Sequence, residues 1–165
     1  MSTRSSNAIV TLDFYQQKFK KQVEEDYYLT EDQAFFTSLP KDAIKSYDTA
    51  EDRYPIVILN GTQPAGFFIL HGWEGVKSFY SNKRAILIRA FSIQADYQGQ
   101  GIAHECFRRL PSFIKKHFPD KNEIVLAVNH KNTIAQHVYK KGGFTDKGIR
   151  AMGKRGRSYI MHLSI

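Results

Sequence analysis

A mixed sheet of the α/β (α+β) class, with at least one parallel strand pair, is the architecture the sequence predicts, and three features predict it. Two apolar runs, 54–59 and 65–73, are joined by Asn60, Gly61, Thr62, Gln63 and Pro64, and Asn-Gly between such runs is a strong hairpin signal. Ile86, Leu87 and Ile88 form an unbroken apolar run, as expected of a strand buried on both faces. The second half then alternates strand, helix, strand, helix, strand, which requires a crossover and therefore a parallel pair.

Along the chain, residues 9–14 read as a first strand and 18–28 as helical. A second helical stretch starts at Thr30, with Glu31 and Asp32 in its first turn, where the positive end of the helix dipole favours carboxylates. Pro40 ends it, and 41–47 form another short helix. The connection 74–83 leads into a strand over 84–93, so the first half closes as an antiparallel meander. Next, Ile102, Ala103, Cys106, Phe107, Leu110, Phe113 and Ile114 recur at helical spacing, with Arg108, Arg109, Lys115 and Lys116 between them. Pro111 falls inside this amphipathic helix, where it removes a hydrogen bond at about 3 kcal/mol and predicts a kink or early fraying. Residues 123–128 are a strand, Asn132 is an N-cap for a helix running to Lys141, and 144–151 and 158–165 are closing strands.

The 165 residues, 42% hydrophobic and 13% aromatic, fill one core of ordinary size and hardly two, so a single domain over 1–165 is expected. One cysteine cannot make an intrachain disulfide, and 1–7 lack the apolar run of a secretory signal or membrane span, which points to a cytoplasmic protein that does not enter a membrane. The net charge of +8 invites a nucleic-acid reading. The basic residues are scattered, however, over Lys18, Lys20 and Lys21, the middle helix, and Lys154, Arg155 and Arg157, without interleaved aromatics. Solvated faces and attraction for a small anionic cofactor account better for the charge. Cys106 lies on the apolar helix face as a small buried thiol, and the six histidines show no metal-ligand spacing, so no metal is expected.

Tyr97, Gln98, Gly99, Gln100, Gly101, Ile102 and Ala103 follow a strand and open the amphipathic helix. At a helix start the amides have no intrahelical partner and the dipole is positive, so a phosphate can sit there. Gly99 and Gly101 let the backbone approach an anion without a Cβ in the way, and the small Ala103 keeps the first turn open. A dinucleotide fingerprint begins like this but needs a third glycine where His104 stands, and the Walker lysine and hydroxyl are also missing. Downstream, Asn132, Ala135 and Tyr139 fall on one helix face, followed by Gly142, Gly143 and Phe144.

The two segments, Gln98-x-x-Gly101-x-Ala103 and Asn132-x-x-Ala135-x-x-x-Tyr139-x-x-x-Gly143-Phe144, together resemble the GCN5-related N-acetyltransferase (GNAT) family. The resemblance implies a mostly antiparallel central sheet flanked by helices, with a splayed parallel strand pair, and acetyl-CoA (coenzyme A) as co-substrate. It implies that the pyrophosphate lies on the amides of Gly99, Gln100, Gly101, Ile102, Ala103 and His104. It further implies that Phe91, Ser92 and Ile93 pair with the pantetheine arm, that Asn132 contacts that arm, and that Tyr139 protonates the departing thiolate. A phenol, with a reference pKa near ~10, is a reasonable donor to a thiolate of similar basicity.

The general base is not identified, because Ala127 and Arg89 stand where relatives carry acids; deprotonation through water, or by Glu74, His71 or Glu31, stays open. Glu24, Glu25, Asp26, Glu31 and Asp32 are either an acidic rim for a cationic amine or an ordinary solvated face. The acceptor stays open among polyamine, aminoglycoside, amino acid, small xenobiotic amine and protein N-terminus, with a small-molecule amine or a polyamine slightly favoured, and homodimer formation is left open. A catalytically silent CoA-binding module is the runner-up reading and a basic nucleic-acid binder the third.

Overall fold

The computed structural model describes residues 9–47, 51–153 and 155–165. Among the described residues seven strands form one sheet: β1 (Val10–Phe14), β2 (Arg53–Asn60), β3 (Gln63–His71), β4 (Ala85–Ile93), β5 (Glu123–Asn129), β6 (Thr145–Gly153) and β7 (Gly156–Ser164), in spatial order β1-β2-β3-β4-β5-β7-β6. Only β4 and β5 are parallel; the other neighbours are antiparallel, as the crossover through α4 (Ile102–His117) requires. The β2–β3 hairpin turns at Gly61 and Thr62, and Gly61 sits at φ 64°, a conformation that glycine adopts without a Cβ penalty.

Side-chain alternation explains why both faces of the sheet are covered. Ile56, Ile58, Phe68, Leu70, Ile86, Ile88, Ile124 and Leu126 point to one face, where Cys106, Phe107, Leu110 and Ile114 of α4 close over them. Val57, Phe67 and Ile69 point to the other face, against Phe19, Val23 and Tyr27. Those three come from a segment expected to be one helix over 18–28; it is instead a 3-10 turn (Gln17–Phe19) and a single π turn (Lys21–Glu25). The wider turn brings Phe19, Val23 and Tyr27 to the sheet together, at residue spacings of four, where burial outweighs regular hydrogen bonding. Two short helices, α1 (Glu31–Phe36), capped by Thr30, and α2 (Pro40–Tyr47), follow as expected.

The helix α4 does not fray at Pro111 but runs on to His117. Leu110 and Ile114 are fully buried on either side of the proline, and Phe113 packs on Phe14 with ring centres 5.3 Å apart. Burying side chains of this size contributes roughly 1.5–3 kcal/mol each, enough to offset the missing hydrogen bond. The connection after β3 contains a further short helix, α3 (Trp73–Val76), and α5 (Thr133–Lys141) follows β5.

The site is positioned by one irregularity. Ala90 adopts φ 54°, and the β3–β4 register slips between Phe67 and Ile69, so β4 carries a bulge. Pairing of β4 with β5 stops at Ile88 and Leu126, yet β4 continues along β3 to Ile93 and β5 continues along β7 to Asn129. The two parallel strands therefore part, and a cleft opens between them.

Candidate active site

The cleft has a volume of about 550 Å³. The parted strands supply Ile88, Arg89, Ala90, Phe91, Ala127 and Val128, and α5 supplies Ala135, Val138 and Tyr139. Ala127 is exposed in the middle of β5, between buried Leu126 and Val128, beyond the point where β4 stops pairing with β5.

Tyr139 reaches the cleft from α5. Its ring stands edge-on to Phe107 and Phe91, with centres 5.7 and 6.1 Å away, and to Phe144 at 6.1 Å. Gly142 permits this packing, since a Cβ there would lie 2.7 Å from the Phe107 ring. Burial, and then the neighbouring Cys106 thiol, push the Tyr139 phenol above its ordinary value, so it carries its proton at neutral pH. The Cys106 thiol is itself pushed up by complete burial and is no nucleophile.

Gln98 and Ala103 line the cleft, placing one end of the helix-opening loop at its mouth. Gly101, the N-cap of α4, has φ 76° and ψ 14° and makes no side-chain cap, leaving the amides of Ile102, Ala103 and His104 as the unpaired donors of the first turn. Gly99 has φ 77°, and a Cβ at either glycine would meet nothing within 4 Å, so the space in front of the loop is open. Ile102 is buried and anchors the helix, His104 is exposed, and Gln100 folds back on the carbonyl of Asp96 at 3.3 Å. Asn132 also lines the cleft, and its Oδ1 accepts from the Ala135 amide at 3.2 Å, so it is the cap of α5.

The three β4 residues expected along the cofactor arm divide. Phe91 faces the cleft. Ser92 does not: its hydroxyl is 2.8 Å from the Tyr27 hydroxyl on the opposite side of the sheet, and its carbonyl accepts from the same tyrosine at 3.0 Å. Ile93 presents its amide and carbonyl to the cleft edge, but the Gln33 side chain already meets both, accepting from the amide at 2.9 Å and donating to the carbonyl at 2.8 Å. Gln98 donates to the same carbonyl at 3.1 Å.

Of the acids considered for a rim, Asp32 alone lines the cleft; Glu24 is held by the Tyr15 hydroxyl and Asp26 pairs with Lys21 at 3.2 Å. Glu31 is not among the lining residues, and Glu74 is paired with Lys77 at 2.7 Å. His71 lines a separate small cavity with Glu51, Arg53 and Glu74. Its ring nitrogens lie 3.3 Å from Arg53 Nε and 3.3 Å from Arg89 Nη1. Burial and those guanidiniums lower its pKa to about 4, which makes it a poor proton acceptor. Sequence reasoning passed over Gln33 and gave Arg155 no role at the site. A glutamine inside a six-residue helix carries no local signal of what it reaches, and Arg155 enters only through the turn between β6 and β7. Among the described residues no cluster of His, Cys, Asp and Glu is placed to hold a metal, and no helix is long and apolar enough to cross a membrane.

Comparison with known proteins agrees with this geometry. The chain is 41% identical over 154 residues to the "Uncharacterized N-acetyltransferase YbbJ" of Bacillus subtilis (strain 168), covering 93% of this chain and 96% of that protein. Its fold is shared with the aminoglycoside acetyltransferase AAC(6')-Ib in complex with ribostamycin and coenzyme A, at TM-score 0.75 and 16% identity over 94% of this chain and 93% of the other. A spermidine N-acetyltransferase SpeG chimera from Vibrio cholerae and hSSAT superimposes at TM-score 0.61 and 16% identity, over 94% and 95% of the two chains. Residues 15–144 match the family model described as "Acetyltransferase (GNAT) family". Parted parallel strands, an open glycine loop at a helix start and a tyrosine between them are thus found in a chain that belongs to the GNAT family of acetyl-CoA-dependent N-acetyltransferases.

Proposed function

We propose that the protein moves an acetyl group from acetyl-CoA to the primary amine of a small molecule by direct attack, with Tyr139 as general acid. The observation that carries this is the position of Tyr139 in the cleft where β4 and β5 part, on the same cleft as Phe91, Gln98 and Ala103. The residues present suit the co-substrate: the first-turn amides of α4 and the open space before Gly99 and Gly101 suit a pyrophosphate, and the unpaired edge of β4 suits an amide-bearing chain. Phe91 offers its main chain to that arm, while Ile93 can do so only by exchanging its bonds with Gln33. Asn132 keeps its side-chain N–H groups available while its oxygen caps α5. Ser92 supports the strand from behind through Tyr27 rather than touching the arm.

The acyl thioester supplies the acetyl group, and the chain supplies position and a proton. Tyr139, protonated at neutral pH, gives its proton to the sulfur as the carbon–sulfur bond breaks and is reprotonated from solvent. With Ala127 unable to take a proton, the amine loses its own to water in the cleft. Tyr139→Phe removes the hydroxyl and keeps the ring. Turnover at saturating amine is expected to fall about 10²-fold, within the usual range for general acid catalysis, while CoA affinity by calorimetry changes little. Near-normal turnover, measured where chemistry limits the rate, would reduce Tyr139 to a packing residue.

A further inference from the structure

Residues of α1 and residues flanking the β6–β7 turn both line the cleft. The two segments touch: Cζ of Arg155 lies 4.4 Å from the centre of the Phe35 ring, a cation–π contact. Arg155 lines the cleft, and so does Asp32, three residues before Phe35 on the same short helix. The residue that carries the carboxylate and the ring under the guanidinium are therefore about one helical turn apart on one helix face. Among the described residues neither forms an ion pair. The remaining charged lining residue is Arg89, whose guanidinium also approaches His71.

We infer that the acceptor is a small zwitterion of the α-amino acid class, its ammonium facing Asp32 and its carboxylate facing Arg155. The inference rests on the acetyl transfer proposed above. Among the described lining residues a compound with several ammonium groups finds one carboxylate, Asp32, beside two guanidiniums, so further positive charges gain no second carboxylate there. A zwitterion matches both unpaired groups, and Phe36 and Ile134 leave an apolar wall for its side chain. In the reaction the nitrogen bonds to the acyl carbon and the carbon–sulfur bond breaks. Of the two protons the ammonium sheds, one is balanced by the proton delivered to sulfur and the other leaves to solvent. Asp32 holds the ammonium near the cleft before attack.

The test is thiol release from acetyl-CoA with matched acceptors: leucine and phenylalanine, their amides, the corresponding decarboxylated amines, spermidine and kanamycin. Free amino acids are expected to exceed their amides and the polycations in kcat/KM by at least about tenfold, the size of effect one well-placed charged hydrogen bond produces. Arg155→Gln, at an exposed turn position, is expected to shrink that ratio to about threefold or less by raising KM for the carboxylate-bearing acceptors. Arg155→Lys, which retains the charge, should restore part of it. Preference for spermidine, kanamycin or the decarboxylated amines, or a ratio unmoved by Arg155→Gln, overturns the inference and leaves acetyl transfer standing. No thiol release with any amine, in protein that CoA still stabilises, overturns the transfer reading and this inference with it.

Discussion

Replacing Glu123 by alanine takes one acceptor away from four donors. Its carboxylate lies 2.8 Å from the Tyr80 hydroxyl, 2.9 Å from Asn82 Nδ2, 2.7 Å from His162 Nδ1 and 3.4 Å from Lys147 Nζ. The Lys147 side chain is 49% exposed and returns to water at little cost, but that of His162 is fully buried. His162 Nε2 already lacks a hydrogen-bond partner among the described residues, so the variant leaves the ring without one on either side. Leaving the buried His162 nitrogen and the part-buried Tyr80 and Asn82 donors without their acceptor, at about 1–3 kcal/mol each, costs about 3–5 kcal/mol in all. At about 2–4 °C per kcal/mol for a chain of this size, Tm at neutral pH should fall by about 10 °C. Glu123→Gln keeps an oxygen for Tyr80 and Asn82 and should lose about half as much. The pH dependence has a definite sign. Burial raises the Glu123 carboxyl, but the bonds from Asn82, Tyr80 and His162, and then the Lys147 charge, outweigh it and hold the group below its ordinary value. Its contribution is therefore full above the unfolded value of about 4.3 and is lost as pH falls through the folded one, a loss Glu123→Gln does not show. Thermal unfolding followed by circular dichroism from about pH 3 to 7 measures both effects. A Tm drop under about 3 °C for the alanine variant, or identical pH profiles for wild type and the glutamine variant, refutes the reasoning.

Two further outcomes follow from the geometry. Gly101→Asp forces a side chain into φ 76° and puts a negative charge where an anion is to lie, so CoA affinity by calorimetry should weaken by at least about tenfold; unchanged affinity in folded protein places the phosphates elsewhere. His71, lowered to about 4 by burial and then by Arg53 and Arg89, should stay neutral until near that pH, so stability declines as pH drops from the unfolded value of about 6.5 toward it; an NMR titration midpoint near 6.5 contradicts this.

Local patterns carried most of the fold. The apolar spacing of α4, the turn at Asn60 and Gly61, and the cap at Asn132 are properties of neighbouring residues, and each is where the sequence puts it. What escaped is decided by distant partners. The π turn at Lys21–Glu25 exists because Val23 and Tyr27 must both reach a sheet formed 30 or more residues later, and α4 survives Pro111 because the sheet holds both flanks. Ala103, Asn132 and Tyr139, singled out by the spacing of a family pattern, line the cleft. The inward turn of Ser92 was not legible, since it depends on the bulge at Ala90, and alanine carries no sign that it will adopt a positive φ.

The paired hydrogen bonds of Gln33 also bear on the exposed edge of the sheet. Where β4 leaves β5, its edge is no longer paired by a neighbouring strand, and such an edge invites strand addition by other chains. A glutamine amide has the same donor and acceptor as a peptide group, so Gln33 satisfies Ile93 as one residue of a neighbouring strand would, but cannot propagate the ladder. A strand-terminating side chain of this kind blunts one end of the gap between β4 and β5, where the ladder would otherwise offer a template for strand addition.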